Sequence, residues 1–205
     1  MKQTTTDPAP QRTSFLYLVA AVAAIGGVLF GFDTGVISGA ILFITQQFHL
    51  KASLEEVTTS AVLVGAVIGA LIGGPLADQL GRRRVIIGAA VVFLLGTLIC
   101  VVAPLLALFI AGRIIVGIAI GVASFAVPLY LSEIAPSRVR GTMVSLNQLA
   151  VVSGILVSYG VDYLFASTQN WRAMFAVGVI PGLILGIGLL FTDPARESPR
   201  HSCGG

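Results

Sequence analysis

The chain reads as long apolar runs separated by short polar ones. Residues 15–44, FLYLVAAVAAIGGVLFGFDTGVISGAILFI, form the first run, and the polar stretch TQQFHLKASLEE follows it. Residues 57–77 form a second run, closed by DQLGRRR. Between 85 and 132 the only charge is Arg113. A crossing of the bilayer needs about 20 apolar residues, so that region is too long for one helix. Pro104 supplies a break, because proline cannot continue a helical hydrogen-bond ladder; it predicts a third span over 85–103 and a fourth over 105–131. SEIAPSRVRG separates these from a fifth span over 141–164, and ASTQN from a sixth over 172–192. The pattern predicts an all-α membrane protein with six transmembrane helices.

Charge then sets the expected orientation. Cytoplasmic loops are enriched in Lys and Arg. With the N-terminus inside, Lys2, Arg12, Arg82, Arg83, Arg84, Arg138, Arg140, Arg196 and Arg200 are cytoplasmic, whereas only Lys51 and Arg172 lie outside. Both termini are therefore expected in the cytoplasm of a multi-pass protein of the cell membrane. The expected organisation is a cytoplasmic tail at 1–14, a six-helix transmembrane bundle at 15–192 and a truncated cytoplasmic tail at 193–205.

Composition agrees. The 205 residues are 56% hydrophobic and 10% charged, with a mean hydropathy of +0.98. Soluble domains are about 25% charged. The net charge of +3 is spread over short loops, which argues against nucleic-acid binding. Cys100 and Cys203 offer neither a disulfide framework nor metal-ligand spacing, and no cofactor is implied. No His, Cys and carboxylate constellation suggests an enzyme. The first run is too long for a signal peptide and is kept as a span.

Small residues recur at four-residue spacing: Gly31, Gly35 and Gly39; Gly65, Gly69 and Gly73; Gly117 and Gly121; Gly178, Gly182 and Gly186. Such stripes let helix backbones approach closely in lipid. They predict a tight bundle and no ligand.

Two ionisable residues sit deep in the predicted spans, Asp33 and Arg113. Charged residues inside a membrane are costly and face the bundle interior or an aqueous cavity, where they pair. A carboxylate beside an arginine stays ionised; separated from it in a dry site, it takes up a proton more readily. A pair that parts and rejoins can couple a proton to a conformational change. The plainer reading is a fixed ion pair joining the first and fourth helices. In the fifth span Gln148, Val151 and Ile155 share one helix face. An amide both donates and accepts, which suits a hydroxyl-rich ligand, but it also suits an interhelical hydrogen bond. Acids accompany the cytoplasmic arginines in three clusters: Asp78 with Arg82, Arg83 and Arg84; Glu133 with Arg138 and Arg140; Glu197 with Arg200.

The stretches GFDTGVISG, ADQLGRRR, GRIIVGIAIGVASFAVPLYLSEIAPSRVRG, NQLAVVSGI, NWRAMF and ESPR together resemble the sugar porter family of the major facilitator superfamily, in family order and over nearly the whole chain. The resemblance implies the N-terminal half of that fold and proton-coupled symport of a monosaccharide by alternating access. It implies a proton-coupling role for Asp33 and Arg113, and sugar contacts for Phe30, Gln148, Val151 and Ile155. It implies a conformational charge network of Asp78, Arg82, Arg83, Glu133, Arg140, Glu197 and Arg200. Arg196 replaces the first proline of the usual PESPR motif. Family chains have two six-helix halves with substrate between them, and here the match stops after ESPR, which reads as a truncation. The expected partners are a monosaccharide, a proton, the lipid bilayer, and a missing C-terminal half or a second copy. The alternative is a half-length membrane protein that does not transport. A drug–proton antiporter of the same superfamily would share GRRR but not the run from PLYLSEIAPSRVRG to NQ.

Overall fold

The computed structural model describes the backbone of residues 11–134 and 140–191 and the side chains of residues 24–130 and 141–187. The described backbone is helical, with no strand. Seven helices follow one another: α1 (Gln11–Phe48), α2 (Ala52–Leu80), α3 (Arg82–Val102), α4 (Leu106–Ile134), α5 (Arg140–Ala166), α6 (Trp171–Val177) and α7 (Val179–Phe191). Five of them, α1 to α5, carry segments long and apolar enough to cross a membrane.

The boundaries have local causes. Gly81 ends α2 and opens α3 at φ +85°, a backbone conformation that glycine adopts without a steric penalty. The break at Pro104 falls between α3 and α4, as the sequence predicts. Asn170 caps α6, its side chain accepting from the Ala173 N–H at 3.1 Å. The sixth span differs from expectation: it is interrupted at Gly178 into α6 and α7. Pro181 lacks the N–H that would reach the Val177 carbonyl, and the Gly178 N–H instead donates to the Phe175 carbonyl at 3.0 Å.

The glycine stripes organise the packing. α1 and α5 run in the same direction, with Gly27, Gly31, Gly35 and Gly39 meeting Asn147, Val151, Ser158 and Asp162 in order. A Cβ on Gly31 would overlap the Val151 carbonyl. α2 and α4 are likewise parallel, and their glycines are reciprocal: Gly65 and Gly69 lie on Ile114 and Ile118, while Gly117 and Gly121 lie on Val62 and Ala66. These close backbone approaches take the place of side-chain interdigitation, as expected where lipid removes the hydrophobic drive between helices.

Two buried clusters fill the bundle. One gathers Leu29, Phe93, Val116, Ile120 and Leu185, and the other Phe32, Val36, Phe109, Met174 and Phe175. Large apolar side chains point outward from α2 and α5, including Leu71 and Leu156, more than 70% exposed at 73% and 72%. Soluble monomers rarely expose such contiguous surface; the chain is a multi-pass membrane protein.

Candidate functional site

The middle of α1 carries Asp33 and the N-terminal half of α4 carries Arg113. Residues 80 positions apart are thereby brought into one ion pair, with Arg113 Nη1 donating to Asp33 Oδ1 at 2.7 Å. Arg113 is 0% and Asp33 3% exposed. The pair is made through one nitrogen and one oxygen. Asp33 Oδ2 and Arg113 Nε and Nη2 are buried without hydrogen-bond partners, so it lacks the two-pronged geometry of the strongest Arg–carboxylate pairs. On its other side the guanidinium lies over the Phe175 ring, 5.6 Å from the centroid. A cation there is attracted by the ring quadrupole.

An aromatic wall encloses this pair. Phe109 packs edge-on against Phe175 and Trp171, with centroids 5.5 and 5.4 Å apart. Trp171 Nε1 donates to Gln47 Oε1 at 2.6 Å. Arg172 covers the outer face of Trp171, 5.0 Å from its ring centroid, and donates to the Ala103 carbonyl at 2.9 Å. Such a buried setting strengthens electrostatic interactions. Adding a proton to Asp33 would cancel the charge attraction and leave Arg113 facing the ring and its own unfilled donors.

Next to the pair along α1 is a cavity of about 240 Å³, lined in part by Phe30, Ser124, Tyr130, Asn147, Gln148 and Val151. The lining mixes apolar surface with three aromatic rings, two hydroxyls and two amides. Phe30, Gln148 and Val151 are brought together here. Ile155 does not line the cavity; its backbone packs against Gly31 and Gly35 of α1.

Of the expected charge network, Arg82 Nη2 and Asp78 Oδ1 lie 3.2 Å apart, one helical turn from each other in sequence, with Asp78 well exposed. Arg83 follows in the first turn of α3. The side chains of Glu133 and Arg140, and residues Glu197 and Arg200 entirely, lie outside the described residues.

Sequence reasoning missed Asp162 and Phe175. Asp162 is a carboxylate inside the fifth apolar run with no basic residue within four positions, and that signal alone marks it. Phe175 carries no such mark, because an aromatic in an apolar run is ordinary core.

The family model for "Sugar (and other) transporter" matches residues 19–203. The glucose transporter GlcP of Staphylococcus epidermidis is 47% identical over 184 residues, which are 90% of this chain and 41% of that protein. The galactose-proton symporter of Escherichia coli is 41% identical over 184 residues, 90% of this chain and 39% of that protein. Among solved structures, the proton:xylose symporter XylE bound to 6-bromo-6-deoxy-D-glucose superposes with a TM-score of 0.82 at 32% identity, covering 88% of this chain and 45% of that one. XylE from E. coli in a partially occluded inward-open conformation gives a TM-score of 0.81 at 31% identity, over 87% of this chain and 50% of that one. The chain spans about 40% of the length of the curated relatives it matches. The architecture is the N-terminal half of the major facilitator superfamily fold, a transporter fold and not that of an enzyme.

Proposed function

We propose that this chain, which belongs to the sugar transporter family, supplies the proton-coupling half of a monosaccharide–proton symporter. The observation that carries the reading is the buried, singly bonded Asp33–Arg113 pair beside a cavity of hydroxyl and amide groups. Asp33 takes up and releases the proton, and Arg113 is the counter-charge it leaves and rejoins. Phe30, Gln148 and Val151 form this half's share of the sugar site, whereas Ile155, on the same α5 face, lies outside the cavity lining. Gln148 donates to and accepts from sugar hydroxyls, while Phe30 covers an apolar sugar face. Asp78, Arg82, Arg83, Glu133, Arg140, Glu197 and Arg200 form a network at the helix ends that steadies one of the two access states. The excess of Lys and Arg supports putting that network, the 1–14 and 193–205 tails and both termini on the cytoplasmic side of the 15–192 bundle.

A sugar site between two halves requires a second six-helix unit, supplied by a C-terminal half or by a second copy of this chain. The test is uptake of labelled glucose, galactose and xylose into proteoliposomes. They contain this chain alone, or this chain with the separately expressed second half of a relative such as GlcP. Uptake that appears with both halves and rises with an inward proton gradient is expected. Uptake indifferent to the gradient refutes symport. Gradient-driven uptake by the chain alone, with cross-linking that detects only monomer, refutes the need for a second unit.

A further inference from the structure

We propose that Asp162 is a second proton-binding site of this bundle, a carboxyl group that holds its proton in the seam between α1 and α5. It goes beyond the transport reading and does not depend on it.

The geometry is restrictive. Asp162 is 9% exposed, and both carboxylate oxygens are buried with no hydrogen-bond partner. It lies directly on Gly39 of α1: a Cβ added there would overlap the Asp162 carboxyl carbon and come within 2.5 Å of Oδ2. The missing side chain at Gly39 is what makes room for the carboxyl. One turn earlier Ser158 sits on Gly35 in the same way, and its hydroxyl is already committed to the Ile155 carbonyl at 2.7 Å.

No cation answers this carboxyl among the described residues. On α1, Asp33 is six residues before Gly39, about 9 Å of rise and about 240° of turn away, so its side chain points to another face. Arg113 on α4 is held there by Asp33. Arg172 on α6 is held over Trp171 and at the Ala103 carbonyl. Among the described residues, burial and the Gly39 backbone bear on Asp162. No group of three or more His, Cys, Asp or Glu side chains is placed to hold a metal ion among the described residues. An ionised carboxylate in this position would be an uncompensated charge in a helix seam, the costliest way to bury a side chain. A bound proton removes the charge.

Infrared spectroscopy of the 205-residue chain in lipid vesicles at pH 6 tests this directly, because a protonated carboxyl has a C=O stretching band separate from that of carboxylates. The band is expected in the unmutated chain and in Asp33→Asn, and it should disappear in Asp162→Asn. Spectra of the unmutated chain and Asp162→Asn that coincide in this region overturn the proposal. If Asp162→Asn does not insert, the Asp33→Asn chain is labelled with 13C at its aspartate carboxyls. A band that shifts with the label upholds the site, and no band or an unshifted one overturns it.

Discussion

Arg113 reaches Asp33 through one nitrogen at 2.7 Å and presents the rest of its guanidinium to Phe175 and to no hydrogen-bond acceptor. A fixed structural clamp would use both prongs of the guanidinium. This pair leaves one oxygen of Asp33 and two nitrogens of Arg113 buried without a hydrogen-bond partner.

Breaking a buried pair from one side leaves the other charge uncompensated, at about 3–5 kcal/mol. Arg113→Ala is therefore expected to lower unfolding stability in detergent by an amount of that order. Asp33→Asn, which keeps an oxygen for Nη1, should cost less. Removing both partners should cost less than the sum of the two single losses, as residues in contact do. Strict additivity in this double-mutant cycle would mean the pair is not coupled.

The α1–α5 seam makes a contrasting pair of predictions. Gly31→Ala drives a methyl into the Val151 carbonyl and should destabilise by about 1–3 kcal/mol, as overpacking does. Gly186→Ala in α7 meets nothing within 4 Å and should be neutral or stabilise by up to about 1 kcal/mol through helix propensity. Thermal unfolding of the two variants in the same detergent reads the difference.

The Trp171–Gln47 hydrogen bond should be asymmetric. Trp171 is buried and Gln47 is exposed. Gln47→Leu leaves the indole N–H without a partner and should cost about 1–3 kcal/mol, whereas losing a typical hydrogen bond nets about 0.5–1.5 kcal/mol. Trp171→Phe leaves Gln47 to water, so its cost should come from lost packing. Thermal unfolding of Gln47→Leu against Gln47→Glu, which retains an acceptor, isolates the hydrogen bond.

Gln148 and Ile155 separate the cavity from the seam. With Gln148→Ala, loss of one neutral hydrogen bond of about 0.5–1.5 kcal/mol raises the KM for sugar by roughly 2- to 13-fold while dependence on the proton gradient stays. Ile155→Val, outside the cavity lining, should leave KM within about 2-fold. Initial-rate uptake with both halves present measures the two.

Much of the fold was legible because lipid imposes a simple rule: about 20 apolar residues in a row make a span, and Pro104 divided the one run that was too long. The sixth span shows where that rule runs out. It counts apolar residues and is blind to Pro181, whose missing N–H opens the ladder at Gly178. The ion pair was legible because Asp33 and Arg113 stand alone in apolar sequence. Asp162 stands equally alone, but it lies near the end of its run, where an acid reads as the start of a loop. What placed it inside was packing against Gly39, a relationship between residues 123 positions apart that no local pattern carries. Ile155 shares a helix face with Gln148 and Val151, yet helical periodicity does not say where that face stops lining a cavity and begins to touch α1.

The most direct test of proton coupling by Asp33 compares two uptake modes in vesicles that hold this chain and a complementing second half. Asp33→Asn should abolish accumulation of labelled sugar driven by a proton gradient and preserve exchange of labelled for unlabelled sugar without one. Accumulation that persists in Asp33→Asn at the unmutated level would contradict the assignment and leave the Asp33–Arg113 pair a structural clamp.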